Sequence, residues 1–378
     1  MATGYAYHEI FGWHDTSSYA GVLPPNPAAG LQPFVHMENA ETKRRIHELV
    51  VVSGLIDHLV RIAPRRATDE EILRIHTADH LAHIESESLL PKGGDAGDGI
   101  SPFGQGGIEI ARLAAGAVIE FLDAVLDGRV DNAYALVRPP GHHAISSSGM
   151  GFCIFGNVAI AAAHARAVRG VGRIAIVDWD VHHGNGTQAA FYGDPEVLTI
   201  SIHQDNVFPP NSGHLDERGE GDGVGFALNV PLPPGTGDGG YVHVMDQVVV
   251  PAVRTFAPEL ILVACGFDAG VMDPLARQMV TSAGFRALTE RLLAAAAETC
   301  GGRVVMSHEG GYSPVYVPFC GLAVLEAMSG QKVLDDPFLP LVSGFAGHEL
   351  KPAEAEVTAA AAEHLPSAVS ADQVSANR

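Results

Sequence analysis

The segment from Val177 to Gln188 reads VDWDVHHGNGTQ and follows an apolar run directly. Side chains this polar are costly to bury unless they pair with each other or bind an ion. Asp180 and His182 stand two residues apart at a predicted strand end, where extended backbone points both to the same side. Asp268, in CGFDAG, also follows an apolar run. An Asp/His/Asp set leaves room for water and substrate, as a catalytic zinc requires. The sequence therefore predicts a metal site here, and a solvated loop with a few helix caps is the alternative.

Two adjacent histidines, His142 and His143, lie in the segment RPPGHHA, which follows another apolar run. Such a pair can serve as general acid and general base. Asp178 and Asn185 can orient the two rings through hydrogen bonds to their distal nitrogens. Tyr312, in EGGY, can donate a hydrogen bond to a developing oxyanion. The alternatives are structural histidines bonded to backbone, and a packed tyrosine beside a glycine-rich turn.

Aromatic residues stand in two further loops. Phe152 lies in the segment GFC, and Phe208 lies in the segment VFP. Two phenyl rings at the same edge of a sheet would form an apolar slot for an alkyl chain. Aromatic residues that anchor their own loops are the alternative.

The elements that must position these residues are predicted from hydrophobic patterning. Five short runs are rich in Val and Ile and mostly do not alternate with polar residues, which is typical of parallel strands covered on both faces. Alanine-rich segments with helical spacing lie between them, so the pattern predicts an α/β fold. Ligands of open α/β sheets bind outside the carboxyl ends of the strands, where this chain places its His, Asp and Tyr residues. The predicted strands are Ala133–Val137, Arg173–Val177, Val197–Ile202, Leu260–Ala264 and Arg303–Met306, and the predicted helices are Gly107–Leu126, Asn157–Val168, Gly239–Thr255 and Ser282–Thr299.

Composition excludes several classes of function. The 378 residues carry a formal net charge of -21, which argues against sequence-independent binding to nucleic acid and against binding to anionic membranes. An acidic surface tolerates a cationic substrate, and it also simply favours solubility. Four cysteines without CxxC spacing, no signal-peptide pattern and no apolar stretch of about 20 residues predict a soluble cytoplasmic protein with reduced thiols.

The domain organisation is predicted to be simple. No repeat and no linker interrupts the chain, so we expect a single catalytic domain over residues 1–378. The segments 90–106 and 206–225 are expected to be long irregular loops. From about residue 353 the tail is expected to start as a helix rich in Ala and Glu and to end frayed.

The motifs RPPGHHA, GFCIFGN, VDWDVHHGNGTQ, CGFDAG and EGGY, in this order, resemble those of the zinc-dependent histone deacetylase family. HHGNGTQ, CGFDA and LPPGTGD resemble the class II branch and its bacterial histone deacetylase-like amidohydrolases. The resemblance covers the chain from Met1 to about Gly330. It implies a three-layer arginase/deacetylase-like α/β fold with a central, mostly parallel eight-stranded sheet.

The resemblance also implies roles for single residues. One catalytic zinc would be held by Asp180, His182 and Asp268. His143 would act as general base and then as general acid, with His142 as its electrostatic partner, and Tyr312 would polarise the amide carbonyl. The substrate tunnel would include Gly151, Phe152, Phe208 and Leu275, with Asp98 as the candidate acid that holds the substrate backbone. One or two structural K⁺ ions would be held by two sets: Asp178, Asp180, His182, Ser201 and Ile202, and Phe191, Asp194, Val197 and Phe226.

These roles predict an enzyme that removes acetyl or other short acyl groups from Nε-acyl-lysine side chains or similar acylated amines. The nearest alternative is an acetylpolyamine amidohydrolase, which would need acidic groups such as Asp95 and Asp98 near the tunnel mouth. A binuclear ureohydrolase and a non-catalytic acyl-lysine-binding module are two further alternatives. Relatives suggest a homo-oligomer, either dimer or tetramer.

The chain departs from the family pattern at Asn185, where many members carry Asp. A neutral amide stabilises an imidazolium less than a carboxylate does. We therefore expect the pKa of His143 to be lower than it would be with Asp at position 185.

Overall fold

The fold is built on one eight-stranded sheet. A computed structural model describes residues 1–366. The strands are β1 (Thr3–Ala6), β2 (Leu59–Arg61), β3 (Asn132–Ala135), β4 (Ile174–Asp178), β5 (Val197–Gln204), β6 (Ala227–Leu232), β7 (Leu260–Cys265) and β8 (Val304–His308). They lie in the order β6-β5-β4-β7-β8-β3-β1-β2, and every neighbouring pair is parallel. This confirms the α/β class and the eight strands, and the sheet is all-parallel rather than mostly parallel.

Helices cover both faces of the sheet. Ser18–Tyr19 pairs with Phe34–Val35, and Gly94–Asp95 pairs with Pro102–Phe103, as two small antiparallel ribbons outside the sheet. Short 3-10 turns occupy Glu9–Trp13, Pro27–Ala29, Leu55–His58 and Gly221–Gly223, and a π turn occupies Met245–Val249. The α-helices are α1 (Glu41–Val52), α2 (Asp69–Ile72), α3 (Ala78–Ser88), α4 (Gly107–Leu126), α5 (Asn157–Arg169), α6 (Asn185–Phe191), α7 (Asp238–Val244), α8 (Val250–Phe256), α9 (Ser282–Thr299), α10 (Val317–Ser329), α11 (Leu339–Val342) and α12 (Pro352–Ala362).

Two hydrophobic cores lie on opposite faces of the sheet, and β7 contributes to both. Leu260 and Leu262 point into the core covered by α4 and α5, whereas Ile261 and Val263 point into the core covered by α1, α9 and α10. Successive side chains of a strand point to opposite faces, so a strand that is apolar at every position must be covered twice. The result is three layers, with the sheet between two layers of helices.

The predicted elements agree closely with the structure in the centre of the sheet. All five apolar runs form strands, with ends shifted by at most two residues, and α4 and α9 have the predicted bounds. The predicted helix Gly239–Thr255 is instead divided by the π turn between α7 and α8. The patterning missed three strands, namely β1, β2 and β6.

The remaining predictions concern the tail and the thiols. The helix expected from about residue 353 is α12, and the predicted frayed end lies outside the described residues. All four cysteines are buried and unpaired in the described part of the chain. Within residues 1–366 no helix combines the length and the apolar character needed to span a bilayer.

Candidate active site

The loops after five neighbouring strands meet at one edge of the sheet. Because β3, β4, β5, β7 and β8 are parallel, their carboxyl ends lie at the same edge. These loops carry the histidine pair, the predicted metal ligands, Phe208 and Tyr312. The structure therefore brings together residues that are up to 170 positions apart in the sequence, from His142 to Tyr312.

Asp180, His182 and Asp268 form a compact cluster of metal-ligating groups. One ligand atom from each lies within 4.8 Å of the others. His182 Nδ1 lies 3.1 Å from Asp180 Oδ1 and 3.1 Å from Asp268 Oδ2, and all three side chains are buried. A Cβ atom at Gly310 would come within 2.2 Å of Asp268 Oδ2, so only glycine leaves room for this arrangement.

The electrostatics of this cluster fit a bound cation. Burial raises the pKa of Asp268 to about 6, with a further contribution from the charge of Asp180. Burial lowers the pKa of His182, but its hydrogen bonds to Asp180 and Asp268 outweigh this effect and raise the pKa to about 10. A proton on His182 thus offsets two buried carboxylates, and a divalent cation would take its place. Two carboxylates and one imidazole, with room for a fourth ligand, are a donor set that zinc accepts.

His142 is paired with a carboxylate. Its Nδ1 lies 2.9 Å from Asp178 Oδ2, and the ring is buried. Burial lowers the pKa of His142, but the negative charges of Asp180 and Asp178 outweigh it and raise the pKa to about 10. Glu309 Oε2 accepts hydrogen bonds from the backbone N–H groups of Gly141 and His142, at 2.6 and 3.1 Å. This raised pKa favours the imidazolium form of His142 at neutral pH, and Glu309 holds the backbone of that residue.

His143 is paired with a neutral amide. Its Nδ1 lies 2.8 Å from Asn185 Oδ1, and its ring centroid is 3.9 Å from that of His142. Burial, followed by the positive charges of His142 and His182, holds the pKa of His143 well below its usual value. An amide oxygen only accepts hydrogen bonds, so Nδ1 carries the proton and Nε2 keeps its lone pair. His143 is therefore a neutral ring that can accept a proton at Nε2.

Aromatic rings lie beside the histidines. The Phe208 ring centroid is 4.9 Å from that of His143, in an edge-to-face arrangement. A Cβ atom at Gly151 would lie 2.4 Å from His143 Cδ2 and 2.8 Å from Phe208 Cε1, so only glycine fits there. Phe152, with a φ of 71°, places its ring 5.9 Å from that of Tyr312. Phe208 and Gly151 therefore lie against His143, and Phe152 lies beside Tyr312, which are the positions that the predicted apolar slot requires.

Tyr312 is held by a carboxylate that the sequence analysis did not assign to it. Asp273 Oδ2 accepts the backbone N–H of Tyr312 at 2.7 Å, and Asp273 Oδ1 accepts that of Leu275 at 2.9 Å. The ammonium of Lys43 lies 5.8 Å from the centroid of the Tyr312 ring. Burial raises the pKa of the Tyr312 hydroxyl well above its usual value, so it stays protonated and can donate a hydrogen bond.

Asp98 is hydrogen-bonded to Gly151, one of the residues of the predicted slot. Its Oδ2 accepts the backbone N–H of Gly151 at 2.7 Å, and its Oδ1 accepts that of Ile100 at 3.0 Å. Asp95 is occupied within its own loop, since it accepts backbone N–H groups of Gly97, Gly99 and Ser101.

The two sets of residues expected to bind K⁺ each lie close together. In the first set, Asp178 and Ser201 are register partners in β4 and β5, and Asp178 Oδ1 accepts the backbone N–H of Asp180 at 3.0 Å. The second set is connected through the backbone: Asp194 N–H donates to Phe191 O at 3.0 Å, Val197 N–H donates to Asp194 O at 3.4 Å, and Phe226 O accepts from Thr199 N–H at 2.9 Å.

Some residues that support the site were missed by the sequence analysis. Glu38 is fully buried between Arg138 and Lys43, and it accepts hydrogen bonds from both. His183 bonds Ser212 and Gln188 behind the metal cluster. Arg138 and His183 lie inside the motifs RPPGHHA and VDWDVHHGNGTQ, so the sequence could have indicated them. No local pattern connects Glu38 with Arg138, which lies 100 positions further along the chain.

Comparisons with known proteins give consistent results. Residues 36–328 match the family model described as a histone deacetylase domain, a range that includes every site residue above. The chain is 49% identical over 343 residues to a histone deacetylase-like amidohydrolase of Pseudomonas aeruginosa, and the alignment covers 89% of this chain and 88% of that relative. It is 37% identical over 333 residues to a probable deacetylase of Archaeoglobus fulgidus, and that alignment covers 87% of each chain. The crystal structure of an HDA15 HD domain superposes with a TM-score of 0.84 at 31% identity, covering 97% of this chain and 96% of that one. These likenesses confirm the arginase/deacetylase-like fold expected from the sequence.

Proposed function

This chain belongs to the histone deacetylase family, and we propose that it is a zinc-dependent hydrolase that removes acetyl or other short acyl groups from Nε-acyl-lysine side chains or similar acylated amines. The family relationship supports a deacetylase or amidohydrolase activity. One observation carries the finer proposal: a charged His142 and a neutral His143 lie side by side between the Asp180–His182–Asp268 cluster and an apolar slot.

The proposed metal ligands are Asp180, His182 and Asp268, which would hold one zinc ion. When bound, zinc supplies Lewis-acid polarisation of the amide carbonyl and lowers the pKa of the attacking water. The cluster is buried next to His143, whose ring centroid is 5.9 Å from that of His182. The general base is thus adjacent to the place where water is activated.

His143 is the proposed general base and then the general acid. Its Nε2 takes one proton from the attacking water while the hydroxyl adds to the carbonyl carbon. The protonated ring then delivers that proton to the amide nitrogen, and the C–N bond breaks to give a carboxylic acid and the free amine. The acid releases one proton to solvent and the amine takes up one, so the products are a carboxylate and an ammonium cation. His142, already charged and bonded to Asp178, keeps the pKa of its neighbour low and favours negative charge on the reacting carbon's oxygen.

Tyr312 is the proposed donor to the developing oxyanion. Its hydroxyl stays protonated because burial raises its pKa, and Asp273 fixes its backbone. A preorganised donor of this kind typically contributes about 10²–10³ in turnover. Asp98, which bonds Gly151 at the slot, is the proposed contact to the substrate backbone.

Structural K⁺ ions are the second cofactor of the proposal. Backbone oxygens at the carboxyl ends of β4 and β5, next to the zinc ligands, suit a monovalent cation. The proposed ligands are Asp178, Asp180, His182, Ser201 and Ile202 for one ion, and Phe191, Asp194, Val197 and Phe226 for a second.

An acetylpolyamine substrate is the second candidate. The net charge of -21 and the carboxylates of Asp95 and Asp98 favour it. Both carboxylates, however, accept backbone N–H groups in their own loop and next to it, which reduces their value as free partners for a polyamine.

The two remaining alternatives explain less of the site. A binuclear ureohydrolase needs further carboxylates where His183 and Asn185 stand, and Asp273 is committed to the backbone of Tyr312 and Leu275. A non-catalytic binding module gives no reason for a neutral His143 beside a charged His142.

The test is hydrolysis of matched substrates. Acetyl-lysine and trifluoroacetyl-lysine fluorogenic peptides are compared with acetylputrescine and acetylspermidine, each with and without a chelator. We expect chelator-sensitive turnover of the lysine substrates and little turnover of the polyamines. The opposite preference would make this a polyamine hydrolase, and a lack of turnover on all four substrates and on longer acyl-lysines would contradict the proposal.

The cellular location, the oligomeric state and the binding partners of the enzyme are proposed as well. We propose a cytoplasmic homo-oligomer, either dimer or tetramer, that does not bind nucleic acid or membranes directly. The acidic net charge supports the proposed lack of binding to nucleic acid and to membranes.

A further inference from the structure

We infer that two buried histidines behind the active site, His183 and His203, fix the position of the Phe208 loop (206–217) and thereby determine which acyl groups the slot accepts. This inference rests on the proposed function. Both are positioning residues, since they act on the substrate through Phe208. Both rings are almost completely buried, and their centroids lie 4.9 Å apart.

His203 holds the loop by a main-chain carbonyl. Its Nε2 lies 2.9 Å from the carbonyl oxygen of Gly213, which can only accept, so Nε2 is the donor. Its Nδ1 lies 2.9 Å from the hydroxyl of Ser201 and accepts from it. Ser201 and His203 belong to β5, so this contact ties the loop to the sheet.

His183 holds the loop at two points. Its backbone N–H donates to Phe208 O at 3.1 Å, and its Nδ1 lies 2.6 Å from Ser212 Oγ. Gln188 Nε2 donates to Glu217 Oε2 at 2.8 Å, which turns Gln188 Oε1 toward His183 Nε2 at 3.1 Å. His183 Nε2 is therefore the donor, and Ser212 donates its hydroxyl proton to Nδ1.

Gly213 lies between the two rings. A Cβ atom there would come within 2.4 Å of His203 Nε2 and 2.8 Å of His183 Cγ, and its φ of 82° is one that glycine adopts without strain. Any larger residue at position 213 must separate the loop from the histidines.

The position of the loop matters because the Phe208 ring lines the proposed slot and is packed tightly against His143 and Gly151. Its ring contacts His143, and the backbone of Gly151 leaves no space for even a methyl group between them. Moving the loop outward widens the slot next to the general base. In an apolar pocket, one methylene changes selectivity by about 10- to 200-fold.

The experiment compares Gly213→Ala with Gly235→Ala as a matched control. Gly235 has a φ of 83°, nearly that of Gly213, but in the described structure no heavy atom lies within 4 Å of a Cβ built there. Both variants carry the same backbone strain, and only Gly213→Ala pushes on the histidines. Ser212→Ala removes a single hydroxyl from the same contact and guards against misfolding of the glycine variant.

The readouts are kcat and KM for acetyl-lysine and butyryl-lysine peptides at full zinc content, and hydrogen exchange in residues 206–217. We expect Gly213→Ala to shift the ratio of kcat/KM about tenfold toward butyryl-lysine, mainly through KM. Ser212→Ala should shift it less in the same direction, and both should speed exchange in the loop, whereas Gly235→Ala should do neither. An unchanged ratio and unchanged exchange in Gly213→Ala and Ser212→Ala, or an equal shift in Gly235→Ala, would overturn the inference. A wild-type enzyme that hydrolyses no acyl-lysine would instead refute the proposed function, and exchange in the loop would still decide whether the histidines fix it.

Discussion

His142 and His143 are adjacent in the chain, equally buried and in ring contact, yet their pKa values are shifted in opposite directions. The pKa of His142 is raised to about 10, whereas that of His143 is held well below its usual value. Burial lowers the pKa of both, so it does not explain the difference. His142 lies beside the carboxylates of Asp178 and Asp180, whereas His143 is bonded to the amide of Asn185 and its ring is in contact with that of His142. The hydrogen-bond partners and neighbouring charges, rather than the depth of burial, give the two histidines opposite pKa shifts.

Removing each ring separates the two roles most strongly. We expect His143→Ala to reduce kcat by about 10⁴-fold, because both proton transfers pass through this ring. His142→Ala should reduce kcat by about 10²-fold, because that ring acts through its charge. The measurement is kcat for an acetyl-lysine peptide at equal zinc content, and equal losses in the two variants would contradict the assigned roles.

Replacing the carboxylate of the pair tests the charge on His142. Asp178→Asn should lower the pKa of His142 from about 10 toward neutrality, so the ring loses its proton as the pH rises through the lower value. We expect the alkaline limb of kcat/KM to move down, with about a tenfold loss at pH 8 and little change at pH 6. A limb that stays near pH 10 at unchanged zinc content would show that Asp178 does not set this charge.

Replacing the amide partner of His143 by a carboxylate tests why the pKa of His143 is low. Asn185→Asp should raise the pKa of His143, because the carboxylate stabilises the imidazolium. The neutral base then persists only at higher pH, so the acidic limb of kcat/KM should move up by about one unit. Asn185→Ala is the neutral control, and its acidic limb should not move up. An acidic limb that does not move in Asn185→Asp would refute the role of Asn185.

The sequence predicts the centre of the sheet better than its edges. β7 is apolar at every position because both of its faces are covered, and such a run is visible locally. β1, which reads TGYA, is buried through pairing with strands whose residues lie far along the chain. β2 has only three residues at the other edge of the sheet, and two of them are exposed. β6 is the edge strand next to β5, and its proline and asparagine obscure the apolar pattern.

The same distinction holds in the site. The metal cluster and the histidine pair stand out because their residue types are rarely placed together for packing. The roles of Glu309 and Asp273 were not predicted, because both residues accept backbone N–H groups from loops that only the fold brings close. The sequence analysis anticipated only the effect of Asn185 on the pKa of His143, because the contact between the rings of His142 and His143 is a product of the packing.

The most direct test of the account is a zinc titration of the depleted enzyme, followed by turnover of an acetyl-lysine peptide. We expect the depleted protein to be inactive and activity to return in proportion to zinc up to about one ion per chain, since the three ligands form one site. Asp268→Asn should bind zinc more weakly and recover little activity. Full turnover without metal, or a requirement for two metal ions per chain, would contradict the central claim.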